Sequence, residues 1–186
     1  MAGETRARMV EGAVRLLATQ GTQGTSFADV LELTGAPRGS VYHHFPDGKE
    51  QLLAAAVDLA GARALDAVDR WAGRSPVEVA ESFLGLWRAV LTGSGLRAGC
   101  AVLAVTVSSG SPELLQHAAT VFRSWRTRLA ALFEEGGIDA GEAAGLAALL
   151  VAASEGAVVV SRAEQDLEPF DLVAEQLLDR VRLLSA

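Results

Sequence analysis

"TGAPRGSVYHHFPDGKE", residues 34–50, holds two adjacent histidines, the only tyrosine and the only lysine of the chain. Its punctuation sets the local structure. Upstream, Ser26 is a good N-cap for "FADVLELTG", with Asp29 three residues on. That predicts a short helix over 27–34, ended by Gly35. "GAP" then makes a tight turn, and Pro37 opens a second short helix over 38–44. Two short helices joined by a glycine-containing turn form the outline of a helix-turn-helix.

The second helix has two chemically different sides. Val41 and Phe45, four apart and apolar, face the core, while Arg38 with Tyr42 and Gly39 with His43 lie on the other side. The outward face thus carries a cation, a gap, a hydroxyl-bearing ring and an imidazole. Gly39 costs about 1 kcal/mol against alanine inside a helix. Close approach to another backbone or to a groove floor would justify it. Lys49 stands in the first turn of the next helix, where "DGKE" has the acid-to-acid spacing of a capping box and Asp47 is the expected cap. A cation there opposes the helix dipole, and a bound anion reverses that sign. Arg38, Tyr42, His43 and Lys49 can all donate to phosphates, and Arg38 can reach a guanine edge.

A metal or catalytic reading of His43 and His44 fits less well. Adjacent histidines project about 100° apart on a helix. No cysteine or histidine stands at ligand spacing, and His117 is remote in sequence. His44 is expected to be a packed support. Signatures of serine hydrolases, zinc peptidases, Walker loops and di-iron bundles are missing from the sequence. No catalytic residue, metal ligand or cofactor is assigned.

Composition agrees with helices. Of 186 residues, 50% are hydrophobic but only 5% aromatic, and no run sustains period-2 alternation. The fold class is all-α. A net charge of -7 excludes a bulk-basic nucleic-acid binder, so any anion site must be a local arrangement. All cations but Lys49 are arginine, which with the Ala/Gly bias points to a GC-rich bacterial genome. One cysteine rules out an intrachain disulfide and fits a reducing cytoplasm. The charged, amphipathic N-terminus predicts no export signal. "AAGLAALLVAASEGAVVVS", 143–161, is nearly long enough to span a membrane. Glu155 at its middle would cost about 2.5–3.5 kcal/mol to insert, so a packed or partner-facing helix is expected instead.

Helix signals predict nine segments: 4–20, 27–34, 38–44, 48–72, 76–92, 99–109, 112–135, 140–164 and 169–184. "SPVE" at Ser75–Glu78 reads as N-cap, first-turn proline and capping box, and "DAGE" at Asp139–Glu142 has the same spacing. Ser111-Pro112 and Glu168-Pro169 open two further helices.

The string "TSFADVLELTGAPRGSVYHHFPDGKEQLLAAAV" resembles the DNA-binding segment of TetR-type transcriptional regulators, over roughly residues 4–64. The glycine turn, Tyr-His-His-Phe and the Lys-Glu opening of the next helix fall at matching spacing. Pro37 departs from the family, where many members have a serine cap. "GC" at 99–100 and "EGAVVVSRAEQD" at 155–166 are similar to the branch typified by LmrA and YxaF. The resemblance implies a homodimer that places the second short helix of each subunit in a major groove of double-stranded operator DNA. It implies a repressor, with residues 4–64 as the DNA-binding domain and 65–186 for ligand binding and dimerisation. A small molecule would change the spacing of the two heads and release DNA. Ser26, Arg38, Gly39, Ser40, Tyr42, His43 and Lys49 form the expected DNA-contacting set.

For the effector, Phe83, Trp87, Leu103, Phe122 and Trp125 are the large side chains of the middle helices. They either fill the core or line a cavity suited to an apolar, flat ligand. Cys100 joins them as a pocket candidate, beside readings as a redox switch and as a small buried helix start, and Glu155 either enters a pocket, pairs with an arginine or sits at a rim. Gly141 and Gly145, four apart, would allow close helix packing across a dimer. A helical carrier or interaction protein without DNA binding is the alternative. It gives no reason for Gly39 beside an exposed Arg38/Tyr42 pair.

Overall fold

A computed structural model describes residues 2–185. Among them are nine α-helices and no strand: α1 (Ala2–Gln20), α2 (Phe27–Thr34), α3 (Arg38–His44), α4 (Lys49–Asp69), α5 (Pro76–Ser94), α6 (Ala101–Ser108), α7 (Pro112–Glu135), α8 (Ala140–Glu164) and α9 (Glu168–Leu184). The all-α expectation holds, and α2, α3, α7 and α8 have the bounds expected from the sequence.

Local chemistry explains most ends. Ser26 and Ser75 each complete a capping box, with Asp29 and Glu78 as the reciprocal acids. Gly35 closes α2 in the left-handed region at φ 64, and its N–H donates to the Leu31 carbonyl. Asp139 caps α8 through the N–H of Gly141 at 2.9 Å. No capping box forms there: Asp139 accepts from the second helical N–H rather than the third, and Glu142 pairs with Arg180 at 3.2 Å. Two expectations need correction. Asp47 is not the cap of α4: Gly48, at φ 89, stands between it and the first helical residue. The Asp47 N–H instead donates to Gln51 Oε1 at 3.3 Å. The fourth helix also stops at Asp69 rather than 72, in a turn that closes at Gly73 with φ 79.

By packing the chain divides into two compact units, with boundaries inside α4 (after Ala62), between Gly99 and Cys100, and inside α7 (after Val121). The first holds the chain up to Ala62 together with Cys100–Val121. Met9, Ala13, Leu16 and Leu17 of α1 bury one stripe at helical spacing, joined by Val30, Val41, Phe45, Leu52 and Val57. Gly12 lets α1 approach α2: a Cβ there would stand 2.5 Å from Thr34 Cγ2.

The second unit holds Arg63–Gly99 and the chain from Phe122 onward. Phe83, Leu91, Leu129, Phe133, Leu150, Val158, Phe170 and Val181 belong to its core. Helix α8 packs on α9 and on α5. It is long and apolar enough to cross a membrane, but half of its most apolar stretch is buried in this unit. That accords with the packed-helix expectation. The two branch-like motifs meet here. Arg162 donates to the Arg97 carbonyl at 2.9 Å, and a Cβ on Gly99 would lie 2.8 Å from Arg162 Nη1.

Candidate nucleic-acid interface

Helix α3 presents the face that the sequence spacing predicts. Val41 and Phe45 are 1% and 0% exposed, whereas Tyr42 is 74% exposed. Arg38, Gly39 and His43 are exposed as well. Pro37 is the N-cap and supplies no side-chain hydrogen bond. The Ser40 hydroxyl donates to the Pro37 carbonyl at 2.6 Å, which tightens this first turn. A Cβ placed on Gly39 would meet nothing within 4 Å. Glycine is therefore not required there by anything inside the chain.

Aromatic packing fixes the tilt of α3. The Phe27 ring stands 6.0 Å from that of Tyr42, edge to face at 73°, and 6.4 Å from Phe45. The Arg6 guanidinium lies 5.4 Å from the Phe45 centroid. His43 and His44 meet in a T-shaped contact at 5.2 Å and 61°, and His44 meets Phe45 in the same manner at 6.5 Å. His43 is exposed and His44 half-buried. A cleft of about 630 Å³ opens between α2 and α3, with Leu31, Glu32, Arg38 and Tyr42 among its walls.

Ser26 and Lys49 have partners within the chain. The Ser26 hydroxyl donates to the Asp29 carboxylate and accepts from the Asp29 N–H at 3.2 Å. The Ser26 hydroxyl, and after it the Ser26 N–H donating to Asp29 Oδ2 at 2.8 Å, hold the Asp29 carboxyl below its ordinary range. Lys49 Nζ donates to the Thr22 carbonyl at 2.7 Å. An ammonium has three donors, so two remain for an anion. Thr22, Phe27 and Arg6 were not marked by the sequence reading. The signals available were weak: a threonine in a turn, the first residue of a short helix, and an exposed cation one turn before the buried stripe of α1.

Of the effector candidates, the structure brings Trp87, Phe122 and Trp125 together. Trp125 meets the edge of Phe122 at 5.5 Å and of Trp87 at 6.4 Å. Phe83 and Trp125 are buried core residues, while Trp87 and Phe122 are half-buried against that core. Glu155 is 5% exposed in the same unit. Cys100 and Leu103 belong to the first unit. Cys100 is buried and caps α6, its Sγ accepting from the Leu103 N–H at 3.4 Å. A cleft of about 420 Å³ in the second unit is lined by Leu65, Asp69, Arg123 and Arg128 rather than by the aromatic cluster. Among the described residues there is no grouping of three metal-ligating side chains.

The comparisons with known proteins agree with this geometry. Residues 9–68 match the family "Bacterial regulatory proteins, tetR family". Residues 76–176 match "Transcriptional regulator LmrA/YxaF-like, C-terminal domain". The chain is 37% identical over 179 residues to the HTH-type transcriptional regulator Rv0196 of Mycobacterium tuberculosis, covering 92% of this chain and 91% of that one. It is 31% identical to the HTH-type transcriptional regulator YxaF of Bacillus subtilis, over 97% of this chain and 96% of that one. The crystal structure of a TetR transcriptional regulator from Chloroflexus aurantiacus superposes with a TM-score of 0.80 at 27% identity, covering 97% of this chain and 96% of that one. The chain belongs to the TetR family of bacterial helix-turn-helix, DNA-binding transcriptional regulators, which are not enzymes, and carries an LmrA/YxaF-like C-terminal domain.

Proposed function

We propose that this regulator is a homodimeric, cytoplasmic repressor that leaves its operator when a small apolar molecule binds. Residues 4–64 act as the reading head, and residues 65–186 serve ligand binding and dimerisation. The observation that carries the DNA reading is the outer face of α3, where Arg38, Tyr42 and His43 flank a glycine with open space above it. Arg38 reads a base edge or a phosphate, Tyr42 and His43 contact phosphates, and the gap at Gly39 lets the helix sit deep. Lys49 uses its two remaining donors on a phosphate. Ser26 and Ser40 hold the two helix starts, with backbone N–H groups turned to the sugar–phosphate chain.

The aromatic cluster of Trp87, Phe122 and Trp125 supports an apolar, flat effector, with Phe83 and Glu155, both buried in the same unit, as further candidate contacts. Dimerisation is supported by an exposed apolar stripe on α8. Leu149 is 47% and Val159 49% exposed, with Ala152 and Gly156 between them at helical spacing.

Fluorescence anisotropy with the DNA upstream of the protein's own gene, beside a scrambled duplex of equal length, tests the reading. Tight binding to the native duplex alone is expected, with release by apolar multi-ring compounds. Equal, weak binding to both duplexes would overturn it.

A further inference from the structure

Lys49 is one end of a directed chain of hydrogen bonds inside the first unit. Its ammonium donates to the Thr22 carbonyl at 2.7 Å. The Thr22 hydroxyl lies 2.7 Å from that of Ser108, the last residue of α6. Ser108 has one hydroxyl proton, and it goes to the Ala104 carbonyl at 2.5 Å. Thr22 is therefore the donor and Ser108 the acceptor between them. The order is fixed: Lys49 to Thr22, Thr22 to Ser108, Ser108 to the last turn of α6. Thr22 is 8% exposed, so its polar groups have little access to water. A second tie runs alongside, where the Ser111 hydroxyl donates to Glu50 Oε2 at 2.8 Å. Both residues that open α4 are thus held by or through the segment 108–111.

We propose that Thr22 and Ser108 are positioning residues for the DNA-contacting ammonium of Lys49, so that the last turn of α6 sets where this phosphate contact falls. The proposal rests on the reading of Lys49 as a phosphate contact. A lysine head on four rotatable bonds is ordinarily mobile, and its rotamer entropy is lost on binding. Anchoring one N–H to a carbonyl removes part of that loss beforehand and leaves two donors for the phosphate. Anchoring the carbonyl's own residue to α6 fixes the anchor.

The test is operator binding by anisotropy across a salt series, with thermal melting as a check on folding. Lys49→Ala should lower the log–log salt slope by about 0.9, the worth of one phosphate. Ser108→Ala and Thr22→Val should weaken binding by about 2- to 10-fold, the worth of one hydrogen bond. Thr22→Ser, which keeps the hydroxyl, should restore it. In the Lys49→Ala background, Ser108→Ala should have no further effect on affinity or slope. Were Lys49→Ala to leave the slope unchanged, both the phosphate reading and the positioning role would fall. Were Lys49→Ala to lower the slope while Ser108→Ala changed nothing, or acted equally in both backgrounds, the positioning role alone would fall.

Discussion

Phe27 holds Tyr42 by its edge, at 6.0 Å and 73°, while three-quarters of the tyrosine stays in solvent. The ring is thus supported by the first residue of α2, and most of the side chain is left outside. Tyr42→Ala should weaken operator binding by about 1–3 kcal/mol, and Arg38→Ala likewise. Tyr42→Phe keeps the Phe27 contact and should lose less. Anisotropy against the native operator measures each. Wild-type affinity in the Arg38→Ala, Tyr42→Ala double variant would remove α3 from the interface.

Gly39 separates stability from function. Alanine there meets no atom of the chain within 4 Å. Gly39→Ala should raise stability by up to about 1 kcal/mol through helix propensity. It should also weaken operator binding, because the added methyl lies between α3 and the groove. A higher melting temperature with unchanged affinity would refute the close-approach role.

The head carries six Lys/Arg and seven Asp/Glu between residues 4 and 64. Affinity must then come from a few placed contacts rather than from a positive field. The salt slope should be shallow, about 0.9 per phosphate contacted, beside that of a basic repressor of similar size. A steep slope with tight binding to scrambled DNA would contradict this.

Asp29 reports on the cap of α2. The Ser26 hydroxyl, then the Ser26 N–H, holds its carboxyl below the ordinary value of 3.8. A folded-state pKa lowered in this way adds stability above the unfolded value, and that stability is lost as pH falls through the folded value. In Ser26→Ala, NMR titration should show the Asp29 pKa moving up towards 3.8. No movement would mean that the hydroxyl contact does not form in solution.

The α8 stripe gives a test of assembly. Leu149→Asp together with Val159→Asp should yield a monomer by analytical ultracentrifugation. Such a monomer should bind one half-site weakly. A persistent dimer would place the interface elsewhere.

Much of the fold was legible because its signals are local. Ser26, Gly35 and Pro37 bracket α2 and α3 through caps and allowed φ angles that depend on neighbouring residues alone. The Val41/Phe45 and Arg38/Tyr42 pairs sort to opposite sides because four residues make about one helical turn. Asp47 was misread because spacing alone does not show a positive φ at the next residue. The effector candidates were grouped by size, and size does not distinguish a core residue such as Phe83 from the half-buried Trp87.

By itself the sequence determined the helices, the outward face of α3 and the family, since periodicity, capping and a contiguous motif are all written along the chain. Only the tertiary structure decided which residues hold that face in place. Phe27 under Tyr42, Arg6 over Phe45, and Thr22 with Ser108 behind Lys49 bring together residues 15 to 86 positions apart. Which distant side chains meet is settled by how α1, α2, α4 and α6 close around a shared core, and no spacing along the chain encodes that.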